Sequence, residues 1–271
     1  MIIKTLASGA SGMRAHQVKL DIIGNNIANV NTTAFKKSRA NFAEIVRQAL
    51  GDEGVPSVDN PRPEEGSGVM TVSIARMMEQ GDLIPTGRDL DMSIDGQGFF
   101  KVIPIDSDDD QEYYTRDGHF FFNTDGILVN ANGYEVEVEW NEEFDPAKYS
   151  TISVDEKGNI RGVRHSTDNE DQDSAEEPLG QIVLYAFPVP GNLFNKGNNL
   201  FMETETSGEP ISEEPGTEGM GFIRQGYIER SNVDLATEMV GMIEAQRAYA
   251  SNARTIQTAD EMWERANNMR K

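Results

Sequence analysis

A chain of 271 residues with a 37% hydrophobic share can build one large or two ordinary domains, and no apolar run approaches the ~18 residues of a membrane-crossing helix. Lys and Arg number 24 against 46 Asp and Glu, a net charge of −22 and the wrong sign for a protein that holds nucleic-acid phosphates. Zero Cys excludes disulfides, thiolate nucleophiles and Cys-bearing zinc sites, and suits either a reducing compartment or an exported chain.

The opening MIIKTLASGASGMRAHQVKLDII lacks the unbroken apolar stretch of a secretory signal, so an exported chain would leave by another route. Ile2, Leu6, Gly9, Met13, His16, Leu20, Ile23 and Ile27 follow alternating steps of four and three, which predicts one seam of a helix over about residues 3–28. Asn25, Asn26, Asn29 and Asn31 then crowd into seven positions; Asn is poor inside helices and good in turns, so this is a helix stop. Residues 52–68, DEGVPSVDNPRPEEGSG, carry three prolines and no periodicity and read as an extended connector.

The middle of the chain reads as β. GFFKVI, YYTRDGHFFF, GILVNANGYEVEV, STISVDEKGNIRGV and GQIVLYAF are rich in aromatic and β-branched residues. Asp-Gly at 117 and 125, Asn-Gly at 132 and Lys-Gly at 157 are expected hairpin turns, Asn132-Gly133 of type I′. Short strands and tight turns of this kind make a small antiparallel barrel or sandwich. The acidic DNEDQDSAEE at 168–177 is a surface loop, and 205–221, with two prolines and several acidic residues, is a second connector.

The last segment returns to helical spacing. Leu235, Met239, Met242, Gln246, Tyr249, Ala253, Ile256, Asp260 and Trp263 form a seam from about Asp234 to Asn268, after Ser231, Asn232 and Asp234, any of which can cap a helix start. Gly9, His16, Gln246 and Asp260 interrupt the two seams, so these helices suit modest pairing with each other and with other copies. Charge divides the same way: residues 1–50 carry a net +5 and residues 222–271 are balanced, leaving −27 between them.

No catalytic or metal-ligating set emerges, and no cofactor is expected. His16, His119 and His165 lack the i, i+4 partner of a helical metal site, and GASG at 9–12 has no following Lys-Ser or Lys-Thr for a phosphate loop. Asp106, Asp108 and Asp110 begin like a calcium loop, but Gln111 stands where the sharp turn needs Gly.

DIIGNNIANVNTTAFKKSRANF at 21–42 closely resembles the N-terminal signature of flagellar rod and hook proteins, the axial family of the bacterial basal body. Asp95-Gly96-Gln97-Gly98-Phe99-Phe100 and Tyr114-Thr115-Arg116-Asp117-Gly118 with Phe120 resemble its central block. Gln225-Gly226-Tyr227, Ser231-Asn232-Val233-Asp234 and Met242 to Tyr249 resemble its C-terminal block. Chain length and the SNVD and MIEAQRAY motifs are most similar to the distal rod branch, with proximal rod and hook relatives behind it.

The resemblance implies a non-enzymatic subunit of a hollow driveshaft that crosses the periplasm and transmits torque from motor to hook. It further implies self-polymerisation, proximal rod proteins, hook protein and the basal-body rings as neighbours, and passage through the flagellar export apparatus. The implied fold is α+β: N- and C-terminal long helices form a coiled-coil polymerisation unit, with an antiparallel β domain in the middle of the chain. Expected boundaries are 1–45 (helix and Asn-rich turn), 46–68 (connector), 69–204 (β domain), 205–230 (connector) and 231–271 (C-terminal helix). Leu6, Met13, Leu20, Ile23, Asn25, Asn26, Ile27 and Asn29 at one end are expected at the polymerisation interface. So are Leu235, Met239, Met242, Ile243, Gln246, Tyr249, Ile256 and Trp263 at the other.

Overall fold

Helix α1 (Ile2–Ala28) ends inside the Asn-rich stretch, where Asn29 Nδ2 donates to the Asn25 carbonyl at 2.9 Å and satisfies one of the orphan acceptors of the last turn. Helix α2 (Leu235–Asn268) starts at Asp234, whose carboxylate accepts from Ala236 N at 3.1 Å and from the Thr237 hydroxyl. In this computed structural model, residues 2–46, 66–105, 111–141, 144–164, 176–217 and 219–269 are described. Most of the 52–68 connector, the Asp106–Asp110 run, His165 and most of the acidic loop lie outside the described residues.

The chain forms two units. The first gathers Met1–Asn29, Lys37–Met77 and Val233–Lys271; the second holds Val30–Lys36 and Met78–Asn232.

In the helical unit α1 and α2 pair antiparallel: Gly9 meets Ile256, Gly12 meets Asn252, Ile23 meets Gly241, and Asn26 reaches Glu238. Small residues set the separation. A Cβ on Gly9 would stand 2.9 Å from Ile256 Cγ1, and one on Gly12 2.6 Å from Asn252 Nδ2. The unit also contains an antiparallel ribbon of β1 (Ser38–Val46) and β2 (Gly66–Arg76). Gly68 lies against α1 at φ +123°, a backbone only glycine adopts readily, and Val69 N donates to Ser11 Oγ at 3.2 Å. Residues 69–76, expected in the β domain, therefore belong with the helices, because they pair with β1.

The second unit is antiparallel throughout. Its seven-stranded sheet runs, in spatial order, Phe194–Gly197, Leu200–Met202, Tyr113–Thr115, Phe100–Pro104, Tyr134–Val136, Leu128–Asn130 and Phe120–Phe122. A four-stranded sheet runs Glu139–Trp140, Glu177–Gln181, Asn159–Arg164 and Tyr149–Val154. Alternate residues of both, including Phe100, Val102, Phe120, Val136, Ile160 and Leu179, fill one apolar core with Ile94, Ile182, Leu184 and Ile223. Burying such side chains contributes roughly 1.5–3 kcal/mol each.

Three tight hairpins share one construction. Asn123, Asn130 and Asp155 each accept, through Oδ1, from the backbone N–H groups two and four residues on, and Gly126, Gly133 and Gly158 follow at φ +79° to +82°. Asn132 does not take positive φ, so the type I′ turn expected at Asn132-Gly133 is replaced by a three-residue loop ending in a left-handed glycine. Asp117-Gly118 is not a hairpin turn either: the flanking strands Tyr113–Thr115 and Phe120–Phe122 are not neighbours in the sheet. Glycine is needed there because a Cβ on Gly118 would fall 1.4 Å from the Met92 carbonyl oxygen.

The expected connector 205–230 contains three strands. Ile211–Glu213 pairs with Leu184–Ala186, Phe222–Gln225 with Met92–Asp95, and Tyr227–Glu229 with Leu83–Pro85. Their Pro- and Gly-rich flanks hid strands only three or four residues long.

Candidate functional site

Two features of the fold bear on function: the outer faces of the helical unit, and a group of buried charges in the β unit.

The faces of α2 divide unevenly. Ala245 and Ala259, each 1% exposed, with Met242, Asn252 and Ile256 form the side that packs on α1. Leu235, Met239, Val240 and Ile243 lie 44–56% exposed, and Tyr249 and Trp263 are also exposed, as is Gln246. The seam read from sequence thus divides by burial: Met242 and Ile256 are half-buried, while Leu235, Met239, Gln246, Tyr249 and Trp263 are exposed. Small residues decide the inner face because they permit close backbone approach, and a count of large apolar residues passes over them.

On α1, Ile23 and Asn26 are buried; Leu6, Met13, Leu20, Ile27 and Asn29 are half-buried; Asn25 is exposed. The β1–β2 ribbon adds Phe42, Met70, Val72 and Ile74, all exposed. Exposed apolar side chains are the usual material of an interaction face.

Asn26 organises the unit from inside. At 1% exposure its amide donates to the Ser38 carbonyl and accepts from Ser38 N, both at 3.0 Å, extending the β1 backbone onto the helix. The same Nδ2 reaches Glu238 Oε2 on α2 at 3.2 Å. Asn26→Asp removes that donor and sets a second carboxylate against Glu238, so a loss of about 3 kcal/mol is expected, whereas Asn25→Asp, at an exposed position, is expected to stay within about 0.5 kcal/mol. Urea denaturation of both variants measures the difference.

The buried charges lie in the β unit. Glu229, 2% exposed, accepts Lys36 Nζ at 2.5 Å and Gly81 N at 2.8 Å on Oε1, and Arg116 Nε at 2.9 Å on Oε2. Lys36 Nζ also donates to the Glu79 carbonyl at 2.8 Å, and Arg116 to the Gly96 carbonyl at 2.7 Å. One carboxylate thus serves two cations, and every donor aimed at it is matched. Burial first, then the Arg116 guanidinium, push the Lys36 ammonium down to about 8, against the opposing pull of Glu229.

The unfolded chain keeps Lys36 protonated up to its ordinary 10.5, and the folded chain releases that proton near 8. Between those values the unfolded state binds more protons, so stability rises with pH; below 8 the cost of burying the ammonium is present in full. Denaturant midpoints at pH 7.5 and 10 are expected to move in favour of wild type relative to Lys36→Met. An unchanged difference between the two proteins would show that Lys36 has an ordinary affinity for its proton.

Lys36 reaches this place at the end of a short strap, Val30–Lys36. Ala34 N donates to the Glu229 carbonyl at 2.8 Å, the Thr33 hydroxyl to Asp117 at 3.2 Å, and Asn199 Nδ2 to the Thr33 carbonyl at 2.7 Å. Asn232 N donates to the Phe35 carbonyl at 3.3 Å, and Ala34 and Phe35 are buried. Sequence reading did not single out Lys36, Arg116 or Glu229 as a set; a lone charge next to apolar residues, as in Tyr227-Ile228-Glu229, was the only local signal.

Residues 6–36 match a model described as Flagella basal body rod protein, residues 93–162 one described as Flagellar hook protein FlgE/F/G D1 domain, and residues 224–269 one described as Flagellar basal body rod FlgEFG protein C-terminal. The chain is 41% identical over 276 residues to the flagellar basal-body rod protein FlgG of Borreliella burgdorferi, covering 100% of both chains. It is 38% identical to FlgG of Agrobacterium fabrum over 96% of this chain and 97% of that one. The chain belongs to the FlgG family of flagellar basal-body rod proteins. It is a structural subunit of the rod. The hook protein FlgE of Treponema pallidum is 42% identical over 50% of this chain, but that match takes in only 29% of the hook protein. Each of the three family blocks supplies one member of the ion group: Lys36 from the first, Arg116 from the second and Glu229 from the third.

Proposed function

We propose that this FlgG-family chain is the distal rod subunit, non-enzymatic, and that it polymerises through the outward apolar faces of its helical unit. The observation that carries this reading is the stripe Leu235, Met239, Val240 and Ile243, left 44–56% exposed although α1 and α2 already pair along their other faces. A helix pair that has satisfied its inner seam and keeps a second apolar stripe has material for a contact with other copies. Heterologous contacts between identical copies propagate into a tube. Phe42, Met70, Val72 and Ile74 of the ribbon supply further apolar area for the same contacts.

Half-buried Leu6, Met13, Leu20 and Ile27 complete coiled-coil packing between copies once neighbours cover them. The rod then spans the periplasm, with proximal rod proteins below, hook protein above and basal-body rings around it, its subunits delivered by the flagellar export apparatus. Concentrated purified protein imaged in negative stain is expected to show hollow tubes. Monodisperse particles at concentrations where total protein is well above micromolar would overturn the polymer reading.

A further inference from the structure

The strap Val30–Lys36 is bounded on both sides by residues of the helical unit, Asn29 and Lys37, yet belongs to the β unit. It is held there like a bound peptide. Four hydrogen bonds engage its backbone and Thr33, Phe35 is 8% exposed, and the ammonium of Lys36 ends on a buried carboxylate. The receiving surface comes from five separate parts of the chain: Glu79–Gly81, Arg116–Asp117, Asn199, Glu229 and Asn232. Ala34 sits at φ +54°, a conformation unusual for a residue with a side chain and one retained where surroundings over-determine it.

We infer that this surface is a peptide-binding cradle, specific for a Thr-Ala-Phe-Lys segment that turns at Ala34, filled in cis by the chain's own strap and able to take the same segment from a second copy. The specificity follows from the contacts. The cradle reads two backbone carbonyls, one N–H and the Thr33 hydroxyl of the ligand, and places Glu229 where a cation is welcome and an anion is repelled. Binding in cis is favoured by an effective concentration of about millimolar for a short tether, so a free segment competes only when the strap has been released or copies are crowded. This inference stands apart from the polymer reading, since it concerns a site within one β unit.

The test uses the full chain carrying Lys36→Glu, which sets a carboxylate against Glu229 and releases the strap. The probe is a fluorescein-labelled peptide of sequence VNTTAFKK, residues 30–37, with a control peptide bearing Glu in place of the lysine that corresponds to Lys36. Anisotropy is expected to show saturable binding of the probe to the Lys36→Glu chain, at least ~10-fold tighter than the control peptide and at least ~10-fold tighter than the probe binds wild type. Equal uptake by wild type, or no saturable binding to a Lys36→Glu chain that keeps the wild-type cooperative melt, would overturn the cradle.

Should Lys36→Glu fail to fold, amide exchange on unmodified protein decides. The Ala34 and Asn232 amides are expected to exchange at least ~10-fold faster than those of Phe100 and Val102 in the core strand, because a docked ligand opens without the sheet. Exchange at the core rate would make the strap an inseparable part of the β unit and end the proposal.

Discussion

Glu229→Gln is expected to cost the β unit about 3–5 kcal/mol, because it leaves the Lys36 and Arg116 cations buried with no anion between them. Lys36→Met is expected to change stability by less than about 1 kcal/mol at neutral pH, since the remaining Arg116–Glu229 pair is balanced and an unbranched apolar side chain fills the same channel. Two substitutions in one contact thus differ severalfold in effect, which a simple count of ion pairs would not anticipate. Chemical denaturation followed by near-ultraviolet dichroism separates them, and thermal melts should place Glu229→Gln roughly 10 °C below Lys36→Met. Equal losses for the two variants would mean that Lys36 contributes as much as the carboxylate, and that the excess positive charge of the group has been misjudged.

Ile243→Asp is expected to abolish self-assembly while leaving the monomer intact. Ile243 is 49% exposed on the face of α2 that turns away from α1, so in an isolated chain the new carboxylate stays hydrated and costs no more than about 0.5 kcal/mol. Once a neighbouring copy covers the stripe, an unpaired carboxylate is penalised by several kcal/mol, raising the concentration needed for polymer by about 100-fold or more. Sedimentation of wild-type and variant protein across a concentration series reads this directly. A variant that polymerises at the wild-type threshold would remove this stripe from the interface and shift attention to the β1–β2 ribbon.

These two expectations draw on different depths of the sequence. Ile243 was expected at the interface yet stood outside the periodic seam, and that seam itself divides in the fold: Ile256 meets α1 while Leu235 and Met239 are exposed. The reason lies in Gly9, Gly12, Ala245 and Ala259. Helices pack most closely where side chains are smallest, so the inner face was chosen by residues that carry little hydrophobic weight of their own. Glu229 carried still less warning, because its partners lie 193 and 113 residues away.

What the sequence determined by itself is local. The reach of both helices, the stop among Asn25, Asn26 and Asn29, the β character of the middle, and the positions of three Asx-to-Gly turns all follow from preferences acting over a few residues. The three family signatures are legible in the same way, as short runs in a fixed order. Tertiary structure decided the rest: which face of α2 looks inward, that residues 69–76 pair with β1, that 205–230 supplies strands, and that Lys36, Arg116 and Glu229 meet. A stripe specifies that a surface seeks cover but not what covers it, and a buried charge is tolerable only beside a partner that the folded chain alone brings within reach.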